Sequence, residues 1–360
     1  MFEVDRRMRR GLAEGVFPGA VLLVDRGGEL LAHAAYGVAN RFTGQPVTPE
    51  TLFDLASLTK PLATALAVMR LHRQGRLELE APLGAVLPAF AGRQARGVTV
   101  GRLLSHTAGF TDYRPFYLEL AARPAAERRG ALRECLAAER LVSAPGERML
   151  YSDLGFMILE WVVEAVDGRR LDRFAAEEIY GPLGLAESLF FIDLARPAPP
   201  SGRFAATEAC PWRGRLITAE VHDENAHVVG GIAGHAGLFG TAAGIRRLLA
   251  ELLRAYHGER EGPLFRRRTL RRFLERAPGT DKCLGFDMPA DHDSSCGRFF
   301  PPSAVGHLGF TGTSFWVDLE RRITVILLTN RVHPSRANIA IRAFRPRLHD
   351  AVMQALEAAP

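Results

Sequence analysis

Two apolar runs near the start of the chain flank a short polar turn. In AVLLVDRGGELLAHAAYGVAN (20–40) they surround Arg-Gly-Gly-Glu, the pattern of a β-hairpin. SFWVDLERRITVILLTN (314–330) repeats it around Leu-Glu-Arg-Arg, so both ends of the chain are expected to supply antiparallel strands. Between them the apolar spacing changes to three and four residues, which predicts helices over 117–140, 154–167 and 171–179. ARPAPPSGR (195–203) reads as a Pro-rich loop. VVGGIAGHAGLFGTAAG (228–244) reads as a Gly-rich one, followed by a helix near 243–256. RANIAIRAFRPRLHDAVMQALEAA (336–359) reads as a closing amphipathic helix bent at Pro346. Strands at both ends with helices between them predict an α/β (α+β) fold, an antiparallel sheet flanked by helices and interrupted by a mainly helical insertion. The expected division is one discontinuous domain of residues 1–90 and 225–360, an insertion of 91–224, and a cleft between them.

Composition narrows the class. With 360 residues, 47% hydrophobic and 24% charged, the chain can bury a full core and is too apolar for disorder. The net charge of +6 is dispersed, without the basic block or the aromatic-basic pattern of a nucleic-acid reader. RRRTLRRFLER (266–276), the densest basic stretch, reads as the solvated face of a helix. Cys135, Cys210, Cys283 and Cys296 are far apart and lack a CxxC pair, so free thiols in a reducing compartment are expected. The N-terminal apolar run is interrupted by Pro18 and Gly19 and followed by Asp25 and Arg26, so no signal peptide is read. No apolar run approaches the ~18 residues of a membrane span. The sequence as given therefore predicts a cytoplasmic protein, or a periplasmic one if a leader has been removed.

The chain carries 46 Lys plus Arg, of which only Lys60 and Lys282 are Lys. Lys60 falls in LASLTKPLATALA (55–67), three residues after Ser57, where Leu62, Leu66 and Met69 recur at helical spacing until Gly75. A helix starting at about Ser57 tolerates Pro61 in its first turn and puts Lys60 one turn along the same face. Free amides at a helix start favour negative charge developing at the serine oxygen. A lysine close by can hold that charge, or take the proton if its own pKa is depressed; arginine cannot do the second. Taken alone, S-x-x-K equally fits an N-cap serine followed by a surface lysine.

Two further stretches add to it. ERMLYSDLGFMILEWVVEA (147–165) places Tyr151 just before an apolar helical run, and GHLGFTGTSFWVD (306–318) sets His307-Leu308-Gly309 on or beside an edge strand. S-x-x-K, then Y-x-D, then a basic residue-x-Gly resembles the motif set of the penicillin-recognising serine hydrolases. The chain resembles their class C β-lactamase and β-lactamase-fold esterase branch over nearly its whole length. LLSHTAGF (103–110), VHDENAHVVGGIAGHAGLFGTA (221–242) and LLTNRVHP (327–334) also look like segments of that family. The resemblance implies that Ser57 is the acylated nucleophile, that Lys60 and Tyr151 share the proton work, and that the backbone N–H groups of Ser57 and of Phe310, after Gly309, form the oxyanion hole. It implies no cofactor and a small ester, amide or β-lactam as substrate. Lowering a tyrosine by two or three units from its usual ~10 needs ~3–4 kcal/mol, which one shielded ammonium can supply. An oxyanion donor contributes ~3 kcal/mol.

Three positions depart from the class C β-lactamase pattern. Asp153 stands in place of asparagine. If close, its charge raises the pKa of Lys60 and Tyr151, against activation; or it pairs with Lys60 as an orienting group. His307 replaces lysine, so positive charge there depends on pH. Leu308 replaces a hydroxyl residue that helps bind the β-lactam carboxylate, a loss of ~1.5–3 kcal/mol. These departures favour an esterase, D-amino-acid peptidase or weak β-lactamase. A non-catalytic member of the fold, binding peptidoglycan fragments or a protein partner, is the competing reading. His222, Asp223, Glu224, His227 and His235 match no metal-ligand spacing and read as polar contacts in a loop that borders the cleft. No G-x-S-x-G, P-loop or dinucleotide fingerprint is present. Trp212 and Trp316 read as core, and His106 as part of a structural turn.

Overall fold

Strands from the two ends of the chain pair at the centre of one sheet. A computed structural model describes residues 1–360 except 93, 94, 260, 261, 263, 359 and 360. Gly19–Arg26 lies antiparallel to Ile323–Thr329, from Ala20 opposite Thr329 to Arg26 opposite Ile323. Each strand is one arm of an expected hairpin. Glu29–Asn40 returns along the first through Gly27 and Gly28, whose φ of +63° and +96° explains the glycine pair. Ser314–Asp318 pairs with the second, and Val305–Leu308 forms the edge beyond it. Gln45–Pro46 closes the opposite edge of this six-stranded sheet.

Successive residues of the central strands enter opposite cores. Val21, Leu23, Ile326 and Leu328 face the larger one; Ala20, Leu22, Val24, Val325 and Leu327 face the smaller. Burial on both faces is why these strands read as unbroken apolar runs rather than alternating ones. The smaller core is closed by Val4 and Met8 of the helix Phe2–Ala13 and by Leu348, Val352 and Met353 of the helix Ile341–Glu357. The second is the expected closing helix, with Pro346 inside it; residue 359 lies outside the described residues. The first buries only Val4, Met8 and Gly11 in an arginine-rich stretch, too few apolar positions to give a readable period.

On the other face the predicted helices appear with different breaks. The 117–140 segment resolves into Tyr117–Leu120 and Ala125–Ala138, interrupted at Pro124. Asp153–Asp167 matches its prediction and stops at Gly168, φ +86°. Leu171–Ala175 continues as a wider π turn over Ala176–Tyr180. The Gly-rich segment holds a three-residue strand, Leu238–Gly240, between Phe53–Asp54 and Leu189–Phe191, too short to carry a readable period. It leads into the helix Ala242–His257. The basic stretch forms the helix Arg267–Phe273, which buries Leu270 and Phe273 and leaves Arg271 and Arg272 exposed. The fold is thus the expected mixture of helices and antiparallel sheet. The four cysteines are free thiols. No helix among the described residues is long and apolar enough to cross a membrane.

Candidate active site

The chain leaves the short strand Phe53–Asp54 through a tight turn that presents Ser57. Ala56 sits at φ +48°, a region alanine seldom adopts. Asp54 fixes the turn from within: Oδ1 accepts the Ala56 N–H at 2.8 Å, and Oδ2 accepts the His222 N–H at 2.6 Å. The expected helix follows with unexpected winding. Ala56–Leu58 is a 3₁₀ turn, Lys60–Ala65 a π-helix, and only Leu66–Arg73 is α-helical. Pro61 has no N–H to give to a regular ladder at this point. Ser57 therefore stands in the opening turn of a continuous helical segment, close to the expected start, whose winding is tight, then wide, before it becomes regular.

Lys60 is fully buried, and its Nζ donates to Ser57 Oγ at 2.9 Å and to the His235 carbonyl at 3.3 Å. The Asp153 carboxylate is 2.7 Å from the same nitrogen, and the Tyr151 ring centroid is 4.9 Å away. Burial pushes the lysine pKa down, but Asp153 and Tyr151 outweigh it and the net direction is up. Tyr151 is also raised: burial dominates, and the pull of Lys60 is opposed by Asp153 and Asp287. Both consequences left open for Asp153 are therefore present. It pairs with Lys60, and it holds both groups in their protonated forms in the free protein.

Tyr151 and Asp153 are placed by one helix start. Ser152 caps Asp153–Asp167 by accepting the Gly155 N–H at 3.3 Å, and its hydroxyl donates to the Thr111 carbonyl at 2.6 Å. His106, φ +59°, accepts the Ser152 N–H on Nδ1 at 3.0 Å and stacks on Tyr151 at 4.5 Å. The residue read as part of a turn is also the platform under the phenol.

The third motif is stapled against the Ser57 turn. Thr311 Oγ1 donates to the Asp54 carbonyl at 2.7 Å, and Thr313 Oγ1 to the Leu55 carbonyl at 3.1 Å. A Cβ on Gly309 would lie 2.0 Å from Thr313 Oγ1 and 2.6 Å from the Leu55 oxygen, so only glycine allows this approach. Among the described residues, the backbone N–H groups of Ser57 and Phe310 have no acceptor. His307 is buried; its ring centre is 6.0 Å from that of Tyr151, and Nδ1 donates to the Leu308 carbonyl at 2.8 Å. Burial lowers its pKa, Asp287 opposes this, and the net direction is down, so it is held neutral rather than titrating around neutrality.

Ser57, Tyr151, Asp153 and Phe310 line a cavity of about 380 Å³. Its other wall comprises His222, Asp223, Glu224 and His235, from the loop read as bordering the cleft, together with Tyr113 and Arg336, to which the sequence gives no pointer. The histidines and acids of that wall take separate partners: His235 meets Asp223 at 3.0 Å, His222 meets Glu208 at 3.1 Å, and Arg336 bridges Glu208 and Glu224. Glu208, Cys210 and Glu224 lie close enough to share an ion, but the Arg336 guanidinium already answers both carboxylates. Trp316 is buried as expected, whereas Trp212 is partly exposed against Tyr117 and His227. A larger cavity of about 460 Å³ lies apart, between the two terminal helices, and contains no nucleophile.

This fold and motif geometry define a serine hydrolase of the β-lactamase type. The β-lactamase family model matches residues 4–345. The chain is 33% identical over 362 residues to N-acetylmuramyl-L-alanine amidase of Bacillus subtilis (strain 168), covering 92% of this chain and 81% of that protein. It is 30% identical over 368 residues to a protein of Escherichia coli (strain K12) named as a D-alanyl-D-alanine carboxypeptidase, covering 92% and 84%. The solved structure of EstCE1, a hydrolase with promiscuous acyltransferase activity, superposes with a TM-score of 0.73 at 24% identity, covering 95% of this chain and 97% of that one, and shares the fold. The chain belongs to the β-lactamase family, and within it is a serine hydrolase; the reading as a catalytically silent binding protein is not favoured.

Proposed function

We propose that Ser57 attacks the carbonyl carbon of a small ester or amide, forming an acyl-enzyme that water then releases. The observation that carries this reading is the 2.9 Å hydrogen bond from a fully buried Lys60 to Ser57 Oγ, at the wall of an open cavity. Because Lys60 and Tyr151 both hold their protons in the free protein, acylation starts from the fraction in which the pair has given one up. That pair takes the Ser57 proton as the Oγ–C bond forms and returns it to the departing oxygen or nitrogen as the scissile bond breaks. Water attacks the acyl carbon in the second half and loses one proton to the pair; the bond from that carbon to Oγ then breaks, and the pair returns the proton to Oγ, restoring the Ser57 hydroxyl. The free N–H groups of Ser57 and Phe310 hold the tetrahedral oxygen, ~3 kcal/mol for each donor. Asp153 orients Lys60, and Gly309 lets the Phe310 amide come close. The scheme calls for no cofactor and no metal.

The names of the relatives suggest amide and D-alanyl peptide donors for this chain too. A β-lactam is a poorer candidate: Leu308 offers no hydroxyl, and buried His307 leans neutral. The division into residues 1–90 with 225–360 and an insertion of 91–224, with the cleft between, belongs to the same proposal. So does the location, cytoplasmic in keeping with the free thiols, or periplasmic if a leader has been removed. A panel of p-nitrophenyl esters, nitrocefin and D-Ala-D-Ala peptides tests the assignment. Turnover of an ester or a peptide well above nitrocefin is expected; nitrocefin as the preferred substrate, or no turnover of any member, overturns it.

A further inference from the structure

Lys282, the second of the two lysines, is also buried, and its charge acts on His307 and His106 of the same cluster. Its Nζ is 2.9 Å from Asp287 Oδ1 and 3.3 Å from Asp281 Oδ1. Asp287 is locked to the motif strand by two backbone bonds with Gly306, each 2.8 Å, one residue before His307. Asp287 Oδ1 is 4.0 Å from His307 Nε2, which has no hydrogen-bond partner among the described residues. Since Nδ1 of His307 donates to a carbonyl, Nε2 is the nitrogen that gains or lacks a second proton. One carboxylate thus stands between an ammonium and an imidazole. We propose that Lys282 and Asp287 form a positioning pair for His307, in which Lys282 takes up the charge of Asp287 so that His307 remains neutral beside Tyr151.

The other charged or titratable groups around His307 do not replace this control. Lys60 faces it from the helix after Ser57, Tyr151 from the start of the 153–167 helix, and His106 from the turn beneath Tyr151. Phe315, its partner on the neighbouring strand, carries no charge. Lys60 is already paired with Asp153, and His106 is buried and held neutral. Asp287 is the anion acting on His307, and Lys282 competes for it. Arginine fills most cationic positions of this chain, but a compact ammonium suits a buried gap between two aspartates better than a planar fork.

The inference rests on the proposed role of Tyr151 only for its catalytic consequence. The direct test is NMR titration of the His307 ring in the full chain, assigned with His307→Gln. In Lys282→Met the midpoint is expected to rise by about one unit or more, because the Asp287 charge then acts unopposed. In the Lys282→Met/Asp287→Asn double variant it should return to the wild-type range. Should Lys282→Met fail to fold by circular dichroism, Lys282→Gln takes its place. A His307 midpoint that is the same in wild type and in the folded single variant overturns the pair. A second readout is the acid limb of kcat/KM, which should move to higher pH in Lys282→Met, because the unopposed Asp287 charge also raises Tyr151. A moved midpoint with an unmoved limb supports the pair and counts against Tyr151 as a proton carrier.

Discussion

Asp153 stands 2.7 Å from Lys60, so the amine beside the nucleophile is an ammonium in the free protein. The site is therefore assembled in a protonated resting form, and its activity must be drawn from that form by losing a proton. Asp153 raises both Lys60 and Tyr151. Removing its charge by Asp153→Asn lowers both, so more of the deprotonated form is present at any given pH. The acid limb of kcat/KM for a p-nitrophenyl ester should move to lower pH, while the plateau falls because Lys60 loses its orienting partner. A limb that stays in place would separate Asp153 from the proton path.

Lys60 fills a fully buried position, in contact with Ser57, Asp153 and the ring of Tyr151. Lys60→Arg keeps the charge but adds bulk and removes the group able to deprotonate. Acylation should fall by about 10²-fold or more, within the usual range for losing an acid–base group. Stopped-flow release of p-nitrophenol measures it, with thermal melting as the control for folding. Near-normal acylation in the arginine variant would reduce Lys60 to an electrostatic role.

Gly309 is where the third motif touches the Ser57 turn. Its φ is not in the left-handed region, so Gly309→Ala strains no dihedral, but the new methyl meets the Leu55 oxygen at 2.6 Å and Thr313 Oγ1 at 2.0 Å. The loop must back away, carrying the Phe310 amide with it. A displacement on the order of 1 Å costs about 10²-fold in kcat. Steady-state kinetics should show that loss mainly in kcat, with KM nearly unchanged. An equal loss appearing in KM alone would point to substrate binding rather than to the oxyanion.

Acid stability has a separate origin. His349 is buried, and burial, then Arg345, pushes its pKa from 6.5 down to about 3, while Nδ1 donates to the Ser295 carbonyl at 3.1 Å. A depressed folded-state pKa means stability that is complete above the unfolded value and lost as pH falls from about 6.5 toward the folded value. The slope from one such group is at most ~1.4 kcal/mol per pH unit. Urea unfolding of wild type and His349→Asn at pH 6.5 and 4.5 should give a smaller pH dependence for the variant. Parallel pH dependences would place the acid sensitivity elsewhere, His106 being the next buried neutral histidine.

What the sequence disclosed followed from period and composition. The two hairpins were readable because each pairs long apolar runs across a polar turn, and the 153–167 helix because its apolar spacing is regular. Ser57 and Lys60 stood out because lysine is so rare in this chain. The same signal marked Lys282, but with no serine or motif nearby it gave no direction to follow. The part of Tyr113 and Arg336 in the cavity wall is invisible because tertiary contacts, not spacing, bring them to Ser57. Asp54 is hidden for the same reason: its role is to hold the Ala56 and His222 amides, from segments far apart in the chain. The strand at 238–240 is too short, and the π-helix at 60–65 too unusual, to be foretold from apolar period.

The nucleophile can be tested in one step. Intact-mass spectrometry and peptide mapping after exposure to a fluorophosphonate should find a single adduct on Ser57, absent in Ser57→Ala and strongly slowed in Lys60→Ala. A wild-type protein that turns over esters yet remains unmodified at Ser57, or carries its adduct on another residue, contradicts the assignment.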